Sequence, residues 1–289
     1  MLKTQISEIE NILNDITEKQ LRYLKPVQDS WQPSDLLPDM TDKHWHEKVN
    51  ELQKQALTLP DEVLVVLVGN TVTEEALPSY QTWLNRCHRF RDETGVSMTP
   101  WAQWTRGWTA EENRHGELLN KYLYLSGRVN MRSTEITTQH LIRNGFDLAS
   151  GGDPYMSLVY TAFQERATKI SHTNVGHLAE KYGDPLLGKI CSYIAGDEAR
   201  HEEAYKQIFA TIIEKDTSKA VLAFYRMMKH GIAMPARLMS DGADHDLFAQ
   251  FARVAQRTGV YTLRDYAEVT AISWITGIYR IFGSFLRKK

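Results

Sequence analysis

L-G-K-I-C-S-Y-I-A-G-D-E-A-R-H-E-E-A-Y-K-Q-I-F-A-T-I, residues 187–212, steps by four and three through Leu187, Cys191, Ile194, Glu198, His201, Tyr205, Ile208 and Ile212. Such spacing is a helix seam meant for burial, and here a glutamate and a histidine interrupt it. Residues three apart share a helix face, so Glu198 and His201 aim at one point. The stretch 101–122 does the same, its stripe being Trp101, Thr105, Trp108, Glu112, His115, Leu119 and Tyr122. Two more stripes carry a single glutamate: Leu67, Asn70, Glu74, Leu77, Gln81, Leu84, and Leu158, Thr161, Glu165, Thr168, His172, Val175.

The order along the chain is Glu, Glu-x-x-His, Glu, Glu-x-x-His. This is the ligand set of a ferritin-like di-iron or di-manganese carboxylate bundle. One Glu-x-x-His on a solvated helix face means little, but two on core-type stripes, alternating with two Glu-bearing helices, are hard to obtain by accident. Four carboxylates carry a charge of -4, which two divalent cations would neutralise; without metal, four buried like charges would cost several kcal/mol each or protonate. Oxygen-rich ligation with two imidazoles suits iron or manganese better than zinc.

Outward from these seams, helical periodicity continues and strand-like alternation is scarce, which predicts an all-α fold. Leu2, Ile6, Ile9, Leu13 and Ile16 mark a helix over the first twenty residues, followed by an extended connector at W-Q-P-S-D-L-L-P-D-M, 31–40. Further helices are expected at about 44–57, 61–90, 99–124, 133–145, 153–181, 184–214, 217–230, 245–257 and 263–285. Turn residues separate them at Asp92–Gly95, Ser126–Arg128, Gly151–Gly152, Gly183–Pro185 and Asp241–Gly242. No polar linker divides the chain, so 1–289 reads as one domain with the ligand bundle within about 61–214.

The 289 residues can bury a substantial core, and 34 basic against 36 acidic residues do not support nucleic acid as a partner. The longest purely apolar run, Val63 to Val68, is too short to span a membrane. The amphipathic, acid-containing amino terminus lacks secretion and transit features, which points to the cytoplasm or to a plastid chain already processed. Cys87 and Cys191 form no C-x-x-C pair and read as core residues. His44 and His46 point apart on a helix, His88 lacks an acidic partner in register, and neither a P-loop nor G-x-G-x-x-G occurs.

The runs T-E-E-A-L-P (73–78), R-D-E-T-G (91–95), W-T-A-E-E-N-R-H-G (108–116), K-Y-L-Y-L-S-G-R (121–128), F-Q-E-R-A-T (163–168), I-S-H (170–172) and D-E-A-R-H-E (197–202) closely resemble the soluble acyl-[acyl-carrier-protein] desaturases. W-Q-P (31–33), V-L-A-F (221–224) and M-P-A (234–236) extend the resemblance over about Trp31 to Gly242. It implies an enzyme that uses O2 and two electrons, normally from ferredoxin, to put a cis double bond into a saturated acyl chain carried on acyl carrier protein. It also implies two ferrous ions per subunit and a homodimer. Mapped by motif, Glu112 and Glu198 bridge the irons, Glu74 with His115 completes one and Glu165 with His201 the other. Behind the histidines the resemblance places Asp197 with Trp31 for His115, and Glu75 with Trp108 for His201; Thr168 matches a threonine near the oxygen-binding face.

Removing hydrogen from an unactivated methylene is beyond any protein acid or base, so the metals must supply the oxidant and a bent apolar tunnel must select the carbons. Trp83, Arg86, Cys87, Leu148 and Ser157 occupy positions that tune the closed end of that tunnel in the resembled family. The bulk of Trp83 and Arg86 predicts a substrate shorter than eighteen carbons. A basic docking patch for the acidic carrier is expected, with Arg226, Lys229 and Arg237 as candidates, and the R-K-K tail (287–289) reads as a frayed end. Two other readings keep the bundle: an N-oxygenase or hydroxylase acting on a free small molecule, and a non-enzymatic iron-handling protein.

Overall fold

The computed structural model describes residues 13–87, 91–148, 152–244 and 246–271, and no strand occurs among them. The helices are α1 (13–20), α2 (Trp45–Ala56), α3 (Asp61–Glu75), α4 (Leu77–Leu84), α5 (Pro100–Ser126), α6 (Met131–Asn144), α7 (Pro154–Tyr182), α8 (Pro185–Lys215), α9 (Thr217–His230), α10 (Leu247–Thr258) and α11 (263–271). Leu13 and Ile16 of α1 are buried, as the amino-terminal stripe predicts; the rest of that stripe, His88, the R-K-K tail and the far part of the last expected helix lie outside the described residues. The connector after Trp31 is not fully extended, because Pro33–Asp35 closes a 3-10 turn with reciprocal bonds between Gln32 and Asp35.

Helices α3, α5, α7 and α8 form the central bundle, and each seam is apolar, then acidic, then apolar. On α5, Trp101 and Trp104 pack in one apolar block with Phe163, Tyr205 and Ile208, and Leu118 and Leu119 pack in a second with Leu67, Val175 and Ile190. Glu112 and His115 fall between the two blocks in the chain. Along α8 the blocks come in the reverse order, with Ile190 and Ile194 before Glu198 and Tyr205 and Ile208 after His201, so α5 and α8 run antiparallel. Leu67, Leu118 and Ile190 have no exposed surface, and burial of each such side chain contributes about 1.5–3 kcal/mol. The buried acids therefore sit in a frame stabilised from both ends.

Short connections fix the bundle's register. Gly183, with φ +95°, ends α7 in the left-handed conformation that a side chain resists. Asp184 then caps α8 by accepting from the Leu187 N–H at 2.8 Å, and its other oxygen accepts from the Tyr122 hydroxyl of α5. Along this hairpin a Cβ at Gly176 would lie 3.1 Å from the Cys191 Cβ, so glycine is what lets α7 and α8 approach. Around the bundle, α2 packs on α5, α6 and α10 on α3, and α9 on α7 and α8. No single helix among the described residues is long and apolar enough to cross a membrane.

One expected helix, 61–90, is two. It breaks at Ala76 because Pro78 has no N–H to bond back to Glu74 and instead sits in the first turn of a new helix, α4. Glu74 consequently occupies the last turn of α3, where no further helix holds its backbone.

Candidate metal centre

Six side chains from the four bundle helices converge. Glu74, Glu112, His115 and Glu198 each offer a ligand atom within 4.8 Å of the others, and so do Glu112, Glu165, Glu198 and His201. Glu112 and Glu198 belong to both sets, the position of bridging ligands. All six are buried, the two histidines completely. Both imidazoles turn Nδ1 inward: His115 Nδ1 lies 3.3 Å from Glu112 and 3.5 Å from Glu198, and His201 Nδ1 lies 2.7 Å from Glu112 and 3.6 Å from Glu165.

The cluster's own polar groups do not satisfy one another. Glu112 Oε1, Glu198 Oε1, His115 Nδ1 and His201 Nδ1 are buried without a hydrogen bond, the short His201–Glu112 approach lacking the alignment of one. Buried orphans of this kind are costly in pure protein and natural around a cation. Burial pushes the Glu74 carboxyl up, but its contacts with His115 and His172 outweigh it and hold it at about 2; Glu112 is likewise lowered, by His115 and His201. Burial and the like charge of Glu112 push Glu165 and Glu198 up. Burial opposes charging His115 and His201, yet the surrounding carboxylates drive both well above the ordinary imidazole range. Without metal, the buried negative charge would have to be met on these groups by protons. Divalent cations would displace them, and four carboxylates with two imidazoles suit iron or manganese.

Each histidine is backed at Nε2 by a buried carboxylate. Asp197 Oδ2 lies 3.5 Å from His115 Nε2 and accepts from Trp31 Nε1 and from Arg114, both at 3.0 Å. The Trp31 ring also stacks on His115, 6.0 Å between centroids and 9° between planes. Glu111 Oε2 lies 2.9 Å from His201 Nε2, and Glu111 accepts from Arg200 and from the Lys25 backbone N–H, both at 2.7 Å. Burial raises Glu111, and the His201 and Arg200 contacts reverse this to leave it at about 2. A hydrogen bond there fixes ring orientation and tautomer, and Glu111 makes it to His201; His115 Nε2 has no hydrogen bond, and its ring is held between Asp197 and the stacked Trp31.

Glu75 does not take the role expected of it. Its carboxylate accepts from Asn120 at 2.8 Å and Thr138 at 3.2 Å, on the side of α3 facing α5 and α6. One residue after Glu74, it is turned ~100° around the helix, away from the cluster. Trp108 also differs: its Nε1 donates to Glu165 Oε1 at 3.0 Å and does not back His201. Glu111, Arg114 and Arg200 carry no role in the sequence reading, and His172 enters it only on the Glu165 stripe and in the I-S-H run. The Glu-Glu pair at 111–112 was a usable signal, since a doubled acid on a bundle helix can serve two partners.

Two apolar cavities adjoin the cluster. The first has Glu74, Glu112, Glu165 and Glu198 on its wall together with Tyr80, Trp83, Phe146 and Tyr160. The second shares Thr73, Glu74, Gln164, Thr168 and Pro235 with the first and runs along Phe248 and Phe251 of α10. Thr168 stands at their junction, its hydroxyl bonded to the Gln164 and Glu165 carbonyls. Among the five expected tunnel residues, Trp83 lines the first cavity, edge-on to Phe146 at 5.4 Å and Tyr160 at 5.5 Å. Cys87 and Ser157 are buried against each other, 3.6 Å apart, and Leu148 packs on the core, but none of them lines either cavity. Arg86 is corrected outright: it lies beyond the end of α4, half exposed, and pairs with Asp147 at 3.5 Å.

Fold and site together define an all-α carboxylate–histidine bundle of the ferritin-like class. Two solved structures share the fold: DesA2 from Mycobacterium tuberculosis H37Rv (TM-score 0.57, 18% identity, covering 93% of this chain and 94% of that one), and an R2-like ligand-binding oxidase variant with a reconstituted Mn/Fe cofactor (TM-score 0.50, 14%, covering 93% and 91%). The chain belongs to the fatty acid desaturase family, whose profile matches residues 4–275. It is 53% identical over 278 residues to a chloroplastic acyl-[acyl-carrier-protein] desaturase of Cucumis sativus, covering 96% of this chain and 70% of that one. It is 56% identical over 249 residues to a chloroplastic stearoyl-[acyl-carrier-protein] 9-desaturase of Gossypium hirsutum, covering 86% and 63%. A chloroplastic palmitoyl-[acyl-carrier-protein] 4-desaturase 3 of Ophrys sphegodes is 54% identical over 253 residues, covering 88% and 64%. The chain thus spans between 63% and 70% of the length of these relatives.

Proposed function

We propose that the chain is an acyl-[acyl-carrier-protein] desaturase holding two ferrous ions. The observation that carries this reading is the pair of ligand sets sharing Glu112 and Glu198, opening directly onto an apolar cavity. In this assignment Glu74 and His115 complete one metal site and Glu165 and His201 the other. When bound, the two irons supply O2-dependent oxidation of an unactivated C–H bond; one saturated bond, O2, two electrons and two protons give one double bond and two water molecules. The residues do the rest. Asp197 and Glu111 hold the imidazoles, Thr168 presents a hydroxyl where the two cavities meet, and the apolar walls seat the chain and keep water out.

Trp83, Phe146 and Tyr160 close the first cavity, which favours an acyl chain shorter than eighteen carbons. Exposed Arg226 and Lys229 on α9 and Arg237 on the following 3-10 turn are the candidate contacts for an acidic carrier protein. Ferredoxin as electron donor, a homodimer, and a cytosolic or plastid location complete the reading.

The test is anaerobic loading with ferrous iron, then O2 and reduced ferredoxin with a series of acyl-[acyl carrier protein] substrates, read by mass spectrometry. Loss of two hydrogens from the acyl chain is expected. O2 consumption without that mass change would move the assignment to another oxidation or to iron handling, and a clear preference for eighteen carbons would overturn the chain-length reading.

A further inference from the structure

The two glutamates outside the Glu-x-x-His pairs are held in the same way by different donors. Glu165 gives Oε1 to the Trp108 indole N–H at 3.0 Å and turns Oε2 to His201 Nδ1, 3.6 Å away. Glu74 gives Oε1 to His172 Nε2 at 2.8 Å and turns Oε2 to His115 Nδ1, 3.7 Å away. In each, one oxygen meets a ring N–H and the other faces the metal cluster. An ionised carboxylate only accepts, so the contact places the proton of a neutral His172 on Nε2.

His172 is built into this place. It lies on α7 two turns beyond Glu165 and is 1% exposed, beside a Ser171–Asn70 pair that joins α7 to α3 by hydrogen bonds of 3.0 and 3.1 Å. Among the described residues its Nδ1 is buried with no hydrogen-bond partner, and the ring's hydrogen bond is to Glu74. Glu74 also needs an external hold more than Glu165 does. Glu165 lies mid-helix, whereas Glu74 is in the final turn of α3, where the chain breaks at Ala76.

We propose that His172 is a positioning residue for metal binding: its bond to Glu74 Oε1 holds that carboxylate toward the site it would share with His115, as the Trp108 indole holds Glu165 toward the other site. The inference rests on the proposed two-metal reading. It makes the two metal positions matched in geometry but separable by mutation, one dependent on an imidazole of α7 and the other on an indole of α5.

The test is a Co(II) titration of the metal-depleted full-length protein, with bound ions counted by equilibrium dialysis and the ligand field read from visible absorption. For His172→Phe, which keeps an aromatic ring and removes the N–H, one of two equivalents is expected to weaken about 10–100-fold, as for other groups that orient a ligand. His172→Gln restores an N–H and is expected to recover most of that loss, while Trp108→Phe weakens the other equivalent. Melting of the metal-free variants reports folding separately. Two equivalents of wild-type affinity and spectrum in His172→Phe would overturn the inference, as would a folded His172→Gln as weak as His172→Phe, since packing would then explain the loss. A wild-type chain that binds fewer than two ions would instead sink the two-metal reading itself.

Discussion

Glu198 and Glu202 are the same residue type, one turn apart on α8, each 1% exposed, and their surroundings have opposite electrostatics. Glu202 is met by Arg166 at 3.0 Å and by Lys169 and Lys206, whose contacts outweigh the penalty of burial and lower its carboxyl. Glu198 faces Glu112, Glu74 and Glu165 across the bundle and pairs with no Lys or Arg among the described residues, and burial with the like charge of Glu112 pushes its carboxyl up. A buried carboxylate with its own cations is architecture. One that shares a dry site with three other carboxylates requires a cation from outside the chain, and that requirement marks the metal centre more firmly than burial alone.

The largest expected effect tests this contrast at its centre. Glu198→Gln should lose high-affinity binding of at least one metal ion, yet the metal-free variant should be more stable than the metal-free wild type by about 1 kcal/mol, because the cost of keeping or neutralising a fourth carboxylate in the buried cluster is gone. Metal counting with thermal melts in chelator reads both; two ions still bound would refute the bridging assignment. Next in size is the pair Asp197→Ala and Glu111→Ala. Each should weaken metal binding about 10–100-fold, the first at the His115 site and the second at the His201 site, whereas Glu75→Ala should leave metal affinity unchanged. A strong loss with Glu75→Ala would restore the role that the structure removes from it.

The smallest effect belongs to the self-balanced acid. Glu202→Gln should retain both metals and lose about 1–2 kcal/mol of stability at neutral pH. Its carboxyl is lowered in the folded state, so its contribution is complete above the unfolded value of 4.5 and falls as pH drops below it, where the unfolded chain takes up the proton first. Denaturant melts of wild type and variant should therefore converge in acid. A gap that widens as pH falls would show that the lysines do not stabilise the carboxylate.

Much of the centre was legible in residue spacing. The three-four stripes marked Glu74, Glu112, His115, Glu165, Glu198 and His201, and the structure brings all six to one place. The resemblance supplied Trp31 and Asp197 as partners behind His115, where both now stand. Glu75 and Glu111 were exchanged because each adjoins a ligand in a Glu-Glu pair, and only packing reveals which neighbour, turned ~100° around its helix, meets an imidazole. The resemblance placed Arg86 in a tunnel, but α4 ends at Leu84 and leaves it half exposed in solvent. The break that ends α3 was readable from Pro78.

Helical periodicity established the all-α bundle and which faces are buried, because a seam that repeats every three and four residues needs only local geometry to be recognised. Chain order likewise indicated the demand for metal, since charges on core-facing stripes can be counted before anything folds. What is left depends on distances between helices: the split of the two imidazoles between Asp197 and Glu111, the capture of Glu74 by His172, and the meeting of Trp83, Phe146 and Tyr160 on the wall of the first cavity. Those contacts join residues far apart in the chain, and no local rule fixes which side chains meet until four helices pack in one register.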